Sequence, residues 1–234
     1  MSRTRRILDG REDLISEFYV IAATVTEARV FREVNMRFKI GDKVDNDQCI
    51  ALEHEFLRCR DAFKECEQFA TVAALRGRNP WLSYRMYNAY SAFAHHLYEF
   101  MRGAHAREEQ NTKITSKRLT AAEKAKLDED YISLHAQRLL TNRRTAIQNG
   151  TAPSWENDII YYPERVPKEF AKDLRQFRNW THAHVSHERS SGLDPSEFFS
   201  KYHKYLYLLY RDCSWWEPRG EEFPDLNQIT TFMF

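Results

Sequence analysis

Glycine is scarce in this chain: only 7 of its 234 residues are glycine. An all-β protein of this size would need more glycine for its tight turns, so the shortage favours a helical fold. The length allows one large domain or two small ones. Hydrophobic residues make up 42% of the chain and aromatic residues 14%, which is enough to bury a sizeable core.

The chain also lacks any Cys-x-x-Cys pair and any zinc-type spacing of cysteine and histidine. We expect free, partly buried thiols in a reducing compartment. The four cysteines are Cys49, Cys59, Cys66 and Cys213. The N-terminal segment has no apolar signal core. No apolar run approaches the roughly 18 residues that a membrane span needs, so we expect a cytoplasmic protein that does not bind membranes.

Neither sign of charge is in excess. The chain has 35 basic and 34 acidic residues, for a formal net charge of +1. This balance excludes a globally basic surface for nucleic acid. It does not exclude a local basic cleft, which is what a nuclease requires.

Apolar residues recur at helical spacing along most of the chain. The pattern predicts helices over 11–38, 45–75, 81–107, 120–148 and 167–189, and a last helix that starts at 195. Thr120 and Glu123 form a capping-box sequence, and Asn149 with Gly150 gives a helix stop. We therefore predict one all-α domain over 1–234, a bundle of four to five long helices. Its core spans about 45–211, the helix over 11–38 packs as an extension, and 215–234 is an irregular tail.

The densest chemistry lies between Phe170 and Arg189, in the stretch FAKDLRQFRNWTHAHVSHER. Arg178 supplies a cationic fork that matches phosphate geometry, with Asn179 beside it. Histidines follow at 182, 184 and 187, and an imidazole can take or give a proton near neutral pH. Together these groups have the chemistry to cleave a phosphodiester without a metal. The competing interpretation is a polar helix face with packed histidines.

Helix geometry leaves the working imidazole open. In a straight α-helix, residues six apart are separated by about 240° around the axis, so Arg178 and His184 would not share a face. Arg178 and His182, four apart, would. Either the helix bends near Thr181, or both side chains reach round to one cleft, or His182 is the working residue. The spacing of the three histidines does not fit one metal face, so we expect no zinc here.

The segment FRNWTHAH resembles the R-N-x-x-x-A-H form of the R-x(4–6)-H motif of the HEPN superfamily. These are small helical proteins that include many bacterial ribonuclease toxins and anti-phage factors. Arg178 and His184 match the Arg and His of the motif, Asn179 matches the polar residue after the Arg, and Ala183 matches the small residue before the His. The stretch FAHHLYEF, over 93–100, is similar to an earlier helix of some members. The resemblance spans about Leu52 to Arg211.

This resemblance implies a HEPN-like fold and a homodimer in which two motifs meet across one cleft. It implies that His184 promotes attack by the ribose 2′-hydroxyl or protonates the leaving oxygen, that Arg178 binds the phosphate and that Asn179 orients Arg178 or the substrate. The substrate is then RNA, because DNA lacks the attacking hydroxyl. No metal or cofactor is required, and an antitoxin or a defence-system partner would control the activity.

Two other interpretations stay open. One is a non-catalytic HEPN-like protein that binds RNA, a nucleotide or a partner protein, and the other is an unrelated helical scaffold. A second polar pair, His95 and Glu99, lies four apart on one helix face. A metal there would need ligands from another helix. The sequence shows no second pair of that kind, so we expect His95 and Glu99 to be structural or to flank the cleft.

Overall fold

A computed structural model describes residues 38–111, 119–183, 194–217 and 224–230, without the side chains at 182, 183, 227 and 228. The helix predicted over 11–38 lies outside the described residues except for Phe38, which is not helical. The described parts are helical and contain no β-strand, which confirms the all-α class. The α-helices are α1 Lys43–Arg76, α2 Pro80–Glu108, α3 Ala121–Gln148, α4 Phe170–Arg178, α5 Pro195–Asp212 and α6 Asn227–Thr230. None of them is long and apolar enough to cross a membrane.

The helix ends follow local sequence signals. Asp42 caps α1 by accepting the amide of Asp45 at 2.9 Å. Asn79 caps α2 in the same way, and Pro80 occupies its first turn, where a missing amide hydrogen costs nothing. The predicted capping box of α3 is present, with the Thr120 and Glu123 side chains each bonding the other's backbone.

The segment before α4 differs from the prediction. Pro167 does not begin the motif helix, because its carbonyl accepts the amide of Phe170 in a turn and the helix starts at Phe170. The α-helix also ends earlier than predicted, at Arg178, where it continues as a π-helical turn over Asn179–Ala183. In the tail, a 3-10 turn over Cys213–Trp216 precedes α6.

Helices α1 and α2 pack antiparallel along their length. Residue numbers rise along α1 as those of their partners fall along α2. The contacts are Gln48 with the carbonyl of Gly103, Cys59 with the carbonyl of Phe93, and Glu65 with Arg85. The apolar faces of α3, α4 and α5 close the same core. Its largest fully buried side chains include Phe56, Phe93, Phe100, Phe170, Phe177, Phe198 and Tyr202.

Helix α5 is rich in aromatic residues. Most of them are buried in the chain's own core, including Phe198, Tyr202 and Tyr205. Phe199 and Tyr207 remain 46% and 39% exposed. None of the four cysteines forms a disulfide, as predicted; two are buried and two are partly buried.

Candidate functional site

Arg178 is the last residue of α4, directly before the π turn. In this turn the Thr181 hydroxyl donates to the carbonyl of Phe177 at 2.8 Å. A side chain that bonds back to the preceding turn often bends a helix, and π turns are frequent at functional sites. The backbone is π-helical and not α-helical over Asn179–Ala183, so the ideal α-helical angles do not apply to this segment.

The Arg178 guanidinium is held from three sides. One terminal nitrogen, Nη1, donates to Oδ1 of Asn179 at 2.8 Å, and Nη2 donates to Oε1 of Glu99 in α2. The centre of the guanidinium lies 5.6 Å from the ring of Tyr98, a cation–π distance. Its Nε is buried and has no acceptor among the described residues. A further acceptor at that edge would satisfy a donor that is costly to leave unpaired.

Glu99 links Arg178 to a second arginine. Arg102 donates through Nη1 to Oε2 of Glu99 at 3.0 Å and through Nε to Asp128 of α3 at 3.0 Å. Its guanidinium lies 6.0 Å from the same Tyr98 ring. The result is a chain of alternating charges from α4 through α2 to α3, which we call the Arg178 network: Arg178, Glu99, Arg102 and Asp128.

The network contains two cations and two anions, so its formal charges cancel. Burial raises the pKa of Tyr98 to about 12, and the Asp128 carboxylate adds to this effect while the arginines oppose it. Burial acts to lower the pKa of Arg102, but the Glu99 and Asp128 carboxylates outweigh it and the pKa is raised. Arg102 therefore stays charged. A phosphate that approaches Arg178 therefore meets a guanidinium that already binds a carboxylate through Nη2, while its Nε is buried without an acceptor among the described residues.

The structure brings together two of the four predicted catalytic residues, Arg178 and Asn179. His182 lies within the π turn, but its side chain is outside the described part. His184 lies outside the described residues. The choice between His182 and His184 as the working imidazole therefore stays a prediction.

Sequence reasoning missed Glu99 as the partner of Arg178. It paired Glu99 with His95, four residues earlier on the same helix face, and expected the pair to be structural or to flank the cleft. The contact joins residues 79 positions apart, and no local spacing reports such a pair. The density of charge and imidazole around 95–102 was the available signal.

A second polar cluster lies on the same helix. His96 Nδ1 is 2.7 Å from Oε1 of Glu55 in α1, and the ring of His95 packs edge-on at 5.0 Å from that of His96. Burial acts to raise the pKa of Glu55, but the hydrogen bond and charge of His96, with help from Arg58, hold it below its ordinary value. The sequence analysis found no ligand from another helix for His95; Glu55 lies in that position.

Comparisons of this chain with protein-family models, with curated proteins and with solved structures find no match.

Proposed function

We propose that the chain is a metal-independent endoribonuclease of HEPN type, toxin-like or active in anti-phage defence. Arg178, Asn179 and His184 act across the cleft of a homodimer, with His182 as the alternative imidazole. The substrate is RNA, and an antitoxin or a defence-system partner controls the activity. The proposal rests on the R-N-x-x-x-A-H resemblance in an all-α chain.

The reaction is an internal transfer. One imidazole takes the proton of the ribose 2′-hydroxyl, and that oxygen attacks the adjacent phosphorus. The bond from phosphorus to the 5′-oxygen breaks, and the imidazole of the second protomer protonates the leaving oxygen. The products are a 2′,3′-cyclic phosphate and a 5′-hydroxyl. The Arg178 guanidinium stabilises the charge that grows on the phosphorus-bound oxygens.

The structural observation that supports the proposal is the position of Arg178 at the change from α-helix to π turn. Asn179 orients one edge of the guanidinium, and Nε at another edge is buried without an acceptor among the described residues. A fixed arginine with an unused donor suits a phosphate better than a fully paired arginine does.

One contact favours a second candidate function, a non-catalytic HEPN-like protein that binds RNA, a nucleotide or a partner protein. Glu99 occupies Nη2 of Arg178, and both side chains are about three-quarters buried, with 23% and 25% exposure. A carboxylate in that position repels phosphate. In this alternative the Arg178 network stabilises the packing of α2 against α4 and performs no chemistry.

The decisive experiment measures cleavage of labelled total RNA in EDTA by the purified wild type, Arg178→Ala, His184→Ala and His182→Ala. We expect wild-type cleavage with cyclic-phosphate ends that is lost in Arg178→Ala and His184→Ala and retained in His182→Ala. Loss in His182→Ala alone would move the catalytic role to that residue. A folded, dimeric wild type that cuts no RNA, and whose expression is not toxic, would favour the binding function.

A further inference from the structure

Three side chains outside the Arg178 network converge between α1 and α2. They are Glu55 of α1 with His95 and His96 of α2. Each offers one ligand atom, a carboxylate oxygen or an imidazole nitrogen, and the three atoms lie within 4.8 Å of one another. We call them the Glu55 cluster. We propose that the Glu55 cluster is a binding site for a divalent transition-metal cation, with Zn²⁺ as the best fit.

The cluster is held by rigid elements. Helices α1 and α2 pack antiparallel, and contacts from side chains to backbone carbonyls lie on either side of the cluster: Gln48 to Gly103 on one side and Cys59 to Phe93 on the other. Ligands on packed helices keep their geometry better than ligands on loops. The site is therefore largely formed before any cation binds.

The ligand atoms already lie close to the separation that binding to one cation requires. His96 Nδ1 lies 2.7 Å from Glu55 Oε1, so a cation would replace the proton between these two atoms. Arg58 binds the other oxygen of Glu55 at 3.4 Å, which leaves Oε1 as a single-oxygen ligand. Zinc ligands sit about 2.0–2.2 Å from the metal. A shared cation would therefore lie between three atoms that already come within 4.8 Å of one another.

The donor set selects the class of cation. Two imidazole nitrogens and one carboxylate oxygen are a common ligand set of zinc sites that keep one position open for water. Imidazole suits Zn²⁺, Ni²⁺ and Cu²⁺, whereas Mg²⁺ and Ca²⁺ need more oxygen ligands than one carboxylate supplies. Burial does not close the site, because Glu55 and His95 are only partly buried while His96 is buried.

The site lies close to the Arg178 network along α2. Glu99 follows His95 by four residues, which is about 6 Å along a helix axis. A bound cation would tie α1 to α2 one turn away from the carboxylate that holds Arg178. This role is independent of the proposed RNA cleavage, which uses no metal, so failure of one proposal leaves the other intact.

The test measures binding directly. Protein stripped of metal with a chelator and then freed of the chelator is titrated with ZnCl₂ in a calorimeter, and Co²⁺ is used as a spectroscopic probe of the ligands. We expect one equivalent of Zn²⁺ per chain and at least tenfold weaker binding in Glu55→Gln and His95→Ala. His54→Ala, which removes a histidine adjacent to Glu55 in sequence, serves as the control and should bind as the wild type does. Circular dichroism confirms that each variant is folded.

Two results would overturn the site. One is a wild type whose Zn²⁺ affinity is no greater than that of the folded Glu55→Gln and His95→Ala variants. The other is a Co²⁺ complex with a thiolate charge-transfer band in the near ultraviolet, which would place the metal on one of the four cysteines. Since RNA cleavage is not a readout, the outcome is separate from that of the nuclease experiment.

Discussion

Arg178 at the end of α4 and Glu99 in α2 form an ion pair across 79 residues of sequence. Asn179 binds the opposite side of the same guanidinium, and Tyr98 lies beneath it. The arginine that the sequence motif singles out is therefore anchored in the fold and does not extend freely into solvent. Its role in phosphate binding depends on whether Glu99 competes with phosphate for the guanidinium or holds the guanidinium in position.

Glu99→Gln tests whether the carboxylate competes with phosphate for Arg178 or positions its guanidinium. Glutamine keeps an oxygen that can accept from Arg178 but removes the negative charge. If RNA binds at Arg178, we expect about three- to tenfold tighter binding, because a change of about 1 kcal/mol alters an affinity by that order. The measurement is fluorescence anisotropy of a labelled RNA at several salt concentrations.

The matched control is Glu164→Gln, which makes the same change in net charge at an 85% exposed side chain. It should shift RNA affinity little, because exposed charges are screened by salt. Weaker binding in Glu99→Gln, comparable to that of Arg178→Ala, would show that Glu99 positions the guanidinium and does not compete with phosphate.

Asp45→Asn should destabilise the protein strongly. Asp45 is 2% exposed and accepts from Arg107 Nε at 2.7 Å and from the amide of Gly41 at 2.8 Å. Removing one charge of a buried pair leaves the other uncompensated, so we expect a loss of about 3 kcal/mol in the free energy of unfolding. Urea denaturation measures it.

Asp47→Asn is the control for this prediction, since Asp47 lies in the same helix and pairs with exposed Lys43. Exposed pairs of this kind contribute about 0.3–0.5 kcal/mol. Equal losses in the two variants would mean that the Asp45–Arg107 pair adds nothing beyond a surface contact.

Thr120→Ala tests the capping box of α3. The Thr120 hydroxyl accepts the amide of Glu123 at 3.2 Å, and the Glu123 carboxylate accepts the amide of Thr120 at 2.7 Å. Loss of such a cap costs about 1 kcal/mol, which thermal or urea unfolding can resolve. Thr71 is exposed and lies away from the ends of α1. Thr71→Ala should therefore not lower the free energy of unfolding, because alanine is the better helix former. A Thr120→Ala variant as stable as wild type would exclude a stabilising role for the cap.

Stability should fall between neutral pH and about pH 4 in part because of His203. Burial lowers the pKa of His203 to about 4 from its ordinary value near 6.5. Between these two pKa values, the unfolded chain therefore binds a proton at His203 that the folded chain does not bind. The contribution of His203 to the free energy of unfolding is complete above pH 6.5. It is lost as the pH falls from 6.5 to about 4, at no more than about 1.4 kcal/mol per pH unit.

His203→Phe removes this titration while keeping a ring against Phe199, on which His203 stacks at 4.4 Å. We expect the difference in unfolding free energy between pH 7 and pH 5 to shrink in the variant. Tyr207→Phe, in the same aromatic group, removes no imidazole and should keep the wild-type difference. An unchanged difference in His203→Phe would mean that other groups carry the acid sensitivity.

Local signals in the sequence determined the helices. The apolar spacing and the capping box at Thr120 and Glu123 act within a few residues of one another, so their effects can be read from the chain. The same holds for Phe170, Leu174 and Phe177, whose spacing of four and three residues puts them on one helix face and which are buried. Pro167 was misread because a proline fits a turn before a helix as well as a first helical position.

The tertiary structure alone decided the partners of the site residues. Glu99 contacts Arg178, and Glu55 contacts His96, which is 41 residues away in sequence. Both contacts form because packed helices bring distant positions to the same level. The charge of Arg178 was evident from its residue type, but its neutralisation by Glu99 was not. Local spacing specifies which face a side chain occupies, whereas the packing of α1, α2 and α4 specifies what that face contacts.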